Sequence, residues 1–305
     1  MKISVSTKFF TLSVLLLLSV ALFSGCKKTT EESKTVISVR GSDTMVNMVQ
    51  KWAEEYMKQT TNVSIQVSGG GSGTGVAALL NKTTDIANSS RDLKDKEVEE
   101  AKQKGIKYTV VAVALDGLAV IVHKENKIDN LTLAQVKDVF TGKITNFKQL
   151  GGIDKAISLY GRENSSGTYE FFKEHVLNKE DFSSTTQVLQ GTAALAEAVA
   201  RDVNGIAYGG VGYFAKRDDV KIIHIKKDDA APAIAPAENG KVNFEVIWNG
   251  EYSISRNLYM IVREDAPKAT EDLMNYIKSD EGQKVVEELE YIPLATKDRV
   301  PRNKK

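Results

Sequence analysis

The chain has 305 residues, with 41 lysines and arginines against 40 aspartates and glutamates, and it contains a single cysteine. The balanced charge argues against a basic nucleic-acid-binding protein and against an acidic tail, and one cysteine excludes a framework of disulfides. Once an N-terminal leader is set aside, roughly 270 residues remain, enough for one large or two ordinary domains with their own cores.

The N-terminus is typical of an exported lipoprotein. Residues 1–25 begin with two lysines and continue with an apolar stretch, residues 9–23, that is too short to span a membrane comfortably. Small residues then precede Cys26, which with such a leader becomes the acylated first residue of the protein, carrying for example palmitate. A phenylalanine three positions before the cysteine departs from the usual leucine, and a free thiol left after ordinary export is the alternative. Residues 26–34 are polar and predict a short tether.

Two strand–turn–helix units follow. Residues 36–40 have the pattern of a strand, residues 41–44 (Gly-Ser-Asp-Thr) form a polar turn, and apolar residues at helical spacing come next. Residues 63–67 alternate as a second strand, followed by the glycine-rich residues 68–75 and a helix over residues 76–80. Glycines let backbone N–H groups approach an anion closely. The spacing matches neither a P-loop nor a dinucleotide-binding fingerprint, and a flexible loop without a ligand is the alternative.

Residues 85–92 predict the end of a strand followed by another polar turn. Residues 97–104 predict an exposed helix. Residues 108–114 and 118–122 are rich in β-formers. Asp116 and Gly117 interrupt them, which predicts a hinge or bend. Further on, Thr132 caps a helix that includes Val136 and Phe140 and ends at Gly142.

A third unit has the same organisation. Residues 157–160 predict a strand, residues 160–168 a turn rich in small hydroxyl residues, and residues 169–177 a helix. Such a turn presents unpaired backbone N–H groups at the positive end of the helix dipole. Ser165, Ser166 and Thr168 add hydroxyl donors, and Arg162 adds a planar fork suited to tetrahedral oxyanions. An ordinary capped helix start is the alternative for this turn taken alone.

The C-terminal half continues the alternation of strands and helices. The pattern predicts an alanine-rich helix over residues 193–200, a strand over residues 205–208, a polar loop over residues 226–239 and a strand over residues 258–262. Two helices, around Leu273 and Val285, close the chain. The alternation predicts an α/β fold with mostly parallel sheets.

Catalytic machinery is not evident in the sequence. His123, His175 and His224 lie far apart and show no metal-ligand spacing. No serine lies in a nucleophile-elbow motif, and the paired acidic residues sit in charged, solvated runs. Abundant donors without a base or nucleophile indicate a binding protein that needs no metal or cofactor, and not an enzyme.

The three turns carry a resemblance to a known family. In their order and intervals they resemble the periplasmic phosphate-binding proteins of phosphate ABC importers (PstS type). The similarity covers nearly all of the chain after the leader and includes three further segments, residues 139–142, 255–259 and 291–294.

The resemblance implies a type II periplasmic-binding-protein fold of two lobes, each a sheet flanked by helices, joined by a hinge. Lobe I comprises residues 35–117 and 254–305, lobe II comprises residues 118–253, and phosphate binds between them. The implied ligands, with Met45 acting through its backbone N–H, are Ser42, Thr44, Met45, Ser72, Ser90, Arg162, Ser166, Gly167 and Thr168.

The implied function is that of an extracytoplasmic, membrane-anchored lipoprotein. It captures inorganic phosphate and delivers it to the permease subunits of an ABC importer, as a monomer held at the membrane by its N-terminal lipid. A surface adhesin or signalling lipoprotein of the same fold is one alternative. A phosphate-ester hydrolase is another, although the sequence offers neither a base nor metal ligands for it.

One departure from the family concerns the choice between phosphate and sulfate. Well-known members carry an aspartate in a fourth turn that accepts the proton of phosphate, and the matching position here is Ser90, followed by Arg91. Asp43, Asp116 and Glu163 are the candidates for that acceptor. We favour Asp43, next to Thr44; the alternative role for Asp43 is helix capping.

Overall fold

The computed structural model describes residues 34–300, so the predicted leader, the acylation site at Cys26 and most of the tether lie outside the described residues. The strands are β1 Thr35–Gly41, β2 Val63–Ser68, β3 Ile86–Ser89, β4 Tyr108–His123, β5 Asn130–Thr132, β6 Ser158–Arg162, β7 Gln187–Leu189, β8 Gly205–Gly210, β9 Val220–Lys226, β10 Ala233–Ile234, β11 Ala237–Glu238, β12 Lys241–Val242 and β13 Ser255–Arg263.

The α-helices are α1 Val46–Gln59, α2 Ser72–Leu80, α3 Asp95–Gln103, α4 Leu133–Phe140, α5 Gly167–His175, α6 Thr192–Arg201, α7 Phe244–Trp248, α8 Ala269–Lys278 and α9 Asp280–Glu288. Between residues 34 and 300, no helix has both the length and the apolar character needed to cross a membrane.

β11 and β12 pair in a small sheet of their own, and the other strands given above form one mixed sheet, not the mostly parallel one that the alternation predicts. Its main path is β2-β1-β3-β13-β4-β8-β6-β7, with β9 also paired to β4. The outer pairs, β1 with β2 and β6 with β7, are parallel, whereas β13 runs antiparallel to both β3 and β4. The prediction was wrong because β13 comes from far along the chain and inserts between strands of the first half, which no local pattern reveals.

The two β-rich segments predicted on either side of Asp116 and Gly117 form one strand, since β4 runs unbroken from Tyr108 to His123; the hinge predicted there stays a prediction. What changes there is the set of neighbours: residues up to Gly117 pair with β13, and residues from Leu118 onward pair with β8 and β9. The polar loop predicted over residues 226–239 contains the short strands β10 and β11.

The local predictions are otherwise close to the structure. Thr132 caps α4, where its hydroxyl accepts from the Gln135 N–H, and Gly142 follows that helix at a φ of 79°. The helix of the second unit begins at Ser72, four residues before the predicted start at Val76.

Apolar side chains pack in separate clusters along the sheet. One large cluster is formed by residues between 118 and 254 together with Ile292, and it includes Phe140, Phe172 and Tyr208. A second is formed by residues 37–114 and 258–291 around Trp52. The Phe172 ring on α5 stacks on that of Tyr208 on β8, with centroids 3.9 Å apart. This contact fixes α5, and with it the turn that precedes the helix.

Candidate functional site

Four turns supply the polar side chains of the candidate site. The first turn (residues 41–45) follows β1, the second (residues 68–72) follows β2, and the third (residues 162–168) follows β6. The fourth turn (residues 88–92) lies at the end of β3. Because β1, β2 and β3 are parallel neighbours, their carboxyl ends lie at one edge of the sheet, which is the usual place for a ligand in an α/β fold.

The hydroxyl groups of these turns lie against one another. Ser42 Oγ donates to Ser90 Oγ at 3.0 Å, and Ser90 Oγ lies 3.3 Å from Ser72 Oγ. Thr44 Oγ1 and Thr168 Oγ1 share a hydrogen bond of 2.9 Å. All five residues are buried. The structure therefore brings together hydroxyl groups that are far apart in the sequence, from Ser42 to Thr168. The resemblance implies that these groups lie close together. We call them the hydroxyl cluster, and they can donate hydrogen bonds.

Two glycines permit this close approach. A Cβ atom at Gly167 would lie 2.2 Å from Ser72 Oγ and 2.6 Å from Ser90 Oγ, and one at Gly71, whose φ is +89°, would lie 2.4 Å from the Ser165 carbonyl oxygen. Gly73 N–H donates to that same carbonyl at 3.0 Å. Because these glycines have no side chain, the backbones of the second and third turns can contact each other directly. The N–H groups of both turns therefore lie close to the hydroxyl cluster.

Three helices begin at the cluster: α1, α2 and α5. Helix N-termini carry a positive partial charge and favour anions. Some donors there are engaged within the protein. Ser166 Oγ accepts from the N–H groups of Thr168 and Tyr169, at 3.2 and 3.3 Å, so Ser166 caps α5. The Met45 N–H donates to the Ser42 carbonyl at 3.0 Å. Ligation by Ser166 and by Met45 stays a prediction.

Arg162 is buried, and two carboxylates hold its guanidinium. Nη2 donates to Asp43 Oδ2 and to Glu163 Oε1, both at 2.9 Å, and Nε donates to Glu163 Oε2 at 3.1 Å. Nη1 donates to the hydroxyl of Thr192 at 3.0 Å. Burial acts to raise the pKa of Glu163, but the hydrogen bonds and charge of Arg162 outweigh it and hold that pKa below its ordinary value.

Asp43 links three turns and does not cap a helix. Its Oδ1 accepts from the Gly70 N–H at 2.8 Å, and its Oδ2 accepts from Arg162. Its carbonyl oxygen accepts from the hydroxyl of Tyr213 at 2.8 Å, while α1 has no side-chain cap. Both carboxylate oxygens of Asp43 are thus engaged by N–H donors, and its role as acceptor of a phosphate proton stays a prediction.

The fourth turn adds another, partly buried ion pair. Arg91 forms a fork with Glu97, through Nη1 at 2.8 Å and Nη2 at 2.7 Å. Burial acts to raise the pKa of Glu97, but Arg91 and the Lys94 N–H lower it below its ordinary value. The pair orders the chain directly after Ser90.

The sequence reasoning missed Arg256 as a functional candidate, although it lies among the same hydroxyls. Its Nη2 donates to Asp116 Oδ2 at 2.8 Å, to Thr168 Oγ1 at 3.0 Å and to Thr44 Oγ1 at 3.4 Å. Burial raises the pKa of Asp116, although Arg256 opposes this effect. The signal that could have found Arg256 is its charge on the face of β13 that alternation otherwise gives to the apolar Leu258 and Met260.

Among the described residues, the site contains donors and ion pairs but no cluster of metal ligands. Between residues 34 and 300, no group of three or more His, Cys, Asp or Glu side chains could hold a metal ion. His123 Nδ1 accepts from the Glu125 N–H, and His175 packs on Phe171. The arrangement can bind a small oxyanion through hydroxyl, backbone and guanidinium donors.

Comparisons with known proteins identify the family of the chain. A family model described as a PBP superfamily domain matches residues 28–281. The chain is 36% identical over 278 residues to the phosphate-binding protein PstS of Pseudomonas aeruginosa, covering 86% of this chain and 84% of that protein. It is 30% identical over 272 residues to the PstS of Staphylococcus saprophyticus, covering 87% and 82%.

Solved structures give the same result. A putative phosphate ABC transporter substrate-binding protein with bound phosphate from Clostridium perfringens superposes with a TM-score of 0.73 at 31% identity, covering 86% of this chain and all of that one. An ABC-type phosphate transport receptor from Vibrio cholerae gives a TM-score of 0.67 at 27% identity, covering 85% and 100%. The fold is therefore the type II periplasmic-binding fold, and the chain belongs to the PBP superfamily, among its PstS-type phosphate-binding proteins.

Proposed function

We propose that this protein binds inorganic phosphate in the hydroxyl cluster and delivers it to the permease of an ABC importer. The observation that carries the proposal is the convergence of the Ser42, Thr44, Ser72, Ser90 and Thr168 hydroxyls at the starts of three helices. Relatives named for phosphate binding support it. Each hydrogen bond to a charged ligand nets about 1.5–3 kcal/mol, so several of them, less the costs of desolvation and ordering, suffice for micromolar binding.

We propose capture without turnover, by a monomer with two lobes joined near Asp116 and Gly117. Two observations support the lobes. The two large apolar clusters are formed by different parts of the chain, and β4 changes its neighbours between residues 117 and 118. The ligand groups come from both parts, since Thr44 and Arg256 contact Thr168. An anion between lobes can hold them together, and release to a permease then requires their separation.

The test is calorimetric titration of the purified protein with phosphate and with sulfate, together with two matched variants. Thr168→Val removes a hydroxyl of the cluster. Thr270→Val removes a similarly buried hydroxyl on α8, outside the site. We expect phosphate to bind the wild type and Thr270→Val alike and to bind Thr168→Val at least tenfold more weakly, because one hydrogen bond to a charged ligand is lost. A folded wild type that releases no heat with phosphate would contradict the proposal.

We further propose that the protein is exported, anchored to the membrane through an acylated Cys26, and faces the periplasm or the cell exterior. The residues of the leader support this. Cys26→Ser should leave the protein soluble or unprocessed, whereas the wild type should sediment with membranes. If the Cys26→Ser protein stays with membranes after washing at high salt, acylation of Cys26 is not what anchors it.

A further inference from the structure

We propose that Arg256 is a direct cationic ligand of the bound anion and that Asp116 is the residue that positions it. The proposal rests on the phosphate-binding function proposed above and names a ligand that neither the three turns nor the comparisons assign.

The sheet register places this arginine. Arg256 lies opposite Asp116 on the antiparallel strands β13 and β4, so their side chains emerge on the same face. Nε and Nη2 both reach Asp116 Oδ2, at 3.2 and 2.8 Å. Both side chains are almost fully buried, at 2% and 1% exposure. Two rigid strands therefore fix the guanidinium, which leaves it little freedom to lose when a ligand binds.

The guanidinium lies at the hydroxyls that the resemblance assigns to phosphate. Nη2 contacts Thr168 Oγ1 at 3.0 Å and Thr44 Oγ1 at 3.4 Å. These two hydroxyls share one hydrogen bond in which either can donate. Because Arg256 donates to both oxygens, one hydroxyl proton of the pair remains available for an anion. An anion held by Thr44 and Thr168 is therefore within reach of Arg256.

Arg256 also retains a donor that the protein does not use. Its Nη1 is buried and has no hydrogen-bond partner among residues 34–300. Buried side-chain donors are nearly always paired, and an unpaired guanidinium nitrogen is costly. An oxyanion beside the two threonines would pair it and supply the missing bond.

Charge balance distinguishes the two arginines of the site. Arg162 faces two carboxylates, Asp43 and Glu163, so the negative charge beside it is larger than its own positive charge. Arg256 faces one carboxylate, Asp116. Of the two, Arg256 has the unused nitrogen and the less compensated charge, and we therefore assign to it a contribution at least equal to that of Arg162.

The test measures phosphate affinity in variants that keep the fold. Arg256→Gln alone leaves Asp116 buried without a cation, which can unfold the protein. The main variant is therefore the double substitution Arg256→Gln with Asp116→Asn, which removes both charges and keeps polar groups of similar shape. Arg256→Lys is the second variant, because it keeps the charge facing Asp116 but not the fork. The control is Arg263→Gln, on the same strand, whose guanidinium pairs with Asp85 and Asp265.

For the neutral double variant we expect a loss of phosphate affinity of about 10- to 100-fold, with thermal unfolding close to that of the wild type. Arg256→Lys should lose fivefold or more, and Arg263→Gln less than threefold. Asp116→Asn should weaken binding in the wild type but add nothing in the Arg256→Gln background, because a positioning residue acts only through its partner.

Three outcomes would overturn the inference. In the first, the neutral double variant is folded and binds phosphate as tightly as the wild type. In the second, the double variant does not fold, and Arg256→Lys binds like the wild type. In the third, Asp116→Asn weakens binding equally with and without Arg256. A folded wild type that binds no phosphate would overturn the proposed function itself, and this inference with it.

Discussion

Gly167 offers a sharp test of how closely the turns of the site approach one another. In Gly167→Ala, the new Cβ would lie 2.2 Å from Ser72 Oγ and 2.6 Å from Ser90 Oγ, whereas ordinary contacts begin near 3.4 Å. Both hydroxyls must therefore retreat, each by about 1 Å. Both serines are fully buried, so the retreat has to displace the second and the fourth turn.

Two opposing contributions decide whether Gly167→Ala stabilises or destabilises the protein. Overpacking a close contact costs about 1–3 kcal/mol, whereas replacing glycine by alanine in a helix gains at most about 1 kcal/mol, and less in the first turn. We expect the free energy of unfolding to fall by about 1–2 kcal/mol. Phosphate affinity should fall about 100-fold, because two hydroxyl donors are displaced and each is worth about 1.5–3 kcal/mol.

Urea unfolding followed by tryptophan fluorescence measures the first quantity, since Trp52 lies in the core, and calorimetry measures the second. Gly167→Ala combined with Ser72→Gly is the matched control. It removes the 2.2 Å contact and should recover part of the stability without recovering affinity. Wild-type stability and affinity in Gly167→Ala would refute the geometry on which this prediction depends.

Three further predictions concern charged residues. Arg162→Ala should weaken phosphate binding at least tenfold and lower the free energy of unfolding by about 1–3 kcal/mol, because two partly buried carboxylates lose their cation. Arg162→Lys should have an affinity and a stability between those of Arg162→Ala and the wild type, as measured by calorimetry and thermal unfolding. Asp43→Asn should lower stability by about 1–2 kcal/mol in urea and narrow the phosphate-to-sulfate ratio in competition binding, because it removes the favoured acceptor of the phosphate proton; an unchanged ratio would leave Asp116, Glu163 or a backbone carbonyl as the acceptor. Glu97→Gln should be less stable than the wild type at pH 7. Arg91 holds the folded-state pKa of Glu97 below its ordinary value of 4.5. The difference in stability between Glu97→Gln and the wild type should therefore persist above pH 4.5 and vanish as the pH falls through the folded-state pKa. Urea unfolding from pH 7 to pH 3 measures this difference.

The local signals in the sequence predicted the units that build the site. Each turn could be recognised because hydroxyl residues, glycines and helical spacing occur within a dozen positions. The start of α2 was placed too late because Gly73 and Gly75 have low helix propensity. Close packing overrides that propensity: a Cβ at Gly75 would lie 2.5 Å from the Arg40 carbonyl oxygen, so only glycine fits against β1.

The contacts that define the charges of the site could not be predicted in this way. Arg256 and Asp116 are 140 positions apart, and Arg162 and Asp43 are 119 positions apart. Their pairing depends on the insertion of β13 beside β4 and on the meeting of the first and third turns. A single sequence contains no signal for a sheet register over such distances. The donors of the site were therefore predictable, but the partners that already occupy some of them were not.

These partners change how the affinity for an anion is to be understood. Two guanidinium groups, Arg162 and Arg256, face three carboxylates, Asp43, Glu163 and Asp116, so the ionised groups at the centre of the site carry no net positive charge. Attraction by an excess of cations cannot then be the source of affinity. What remains is the fixed orientation of donors: hydroxyl groups held by one another, N–H groups at three helix starts, and a guanidinium fixed between two strands. Such donors are already desolvated and ordered before the ligand arrives, so little of their interaction energy is lost to reorganisation. The carboxylates contribute to the same end, because they hold the arginines in position and repel anions that cannot donate a hydrogen bond.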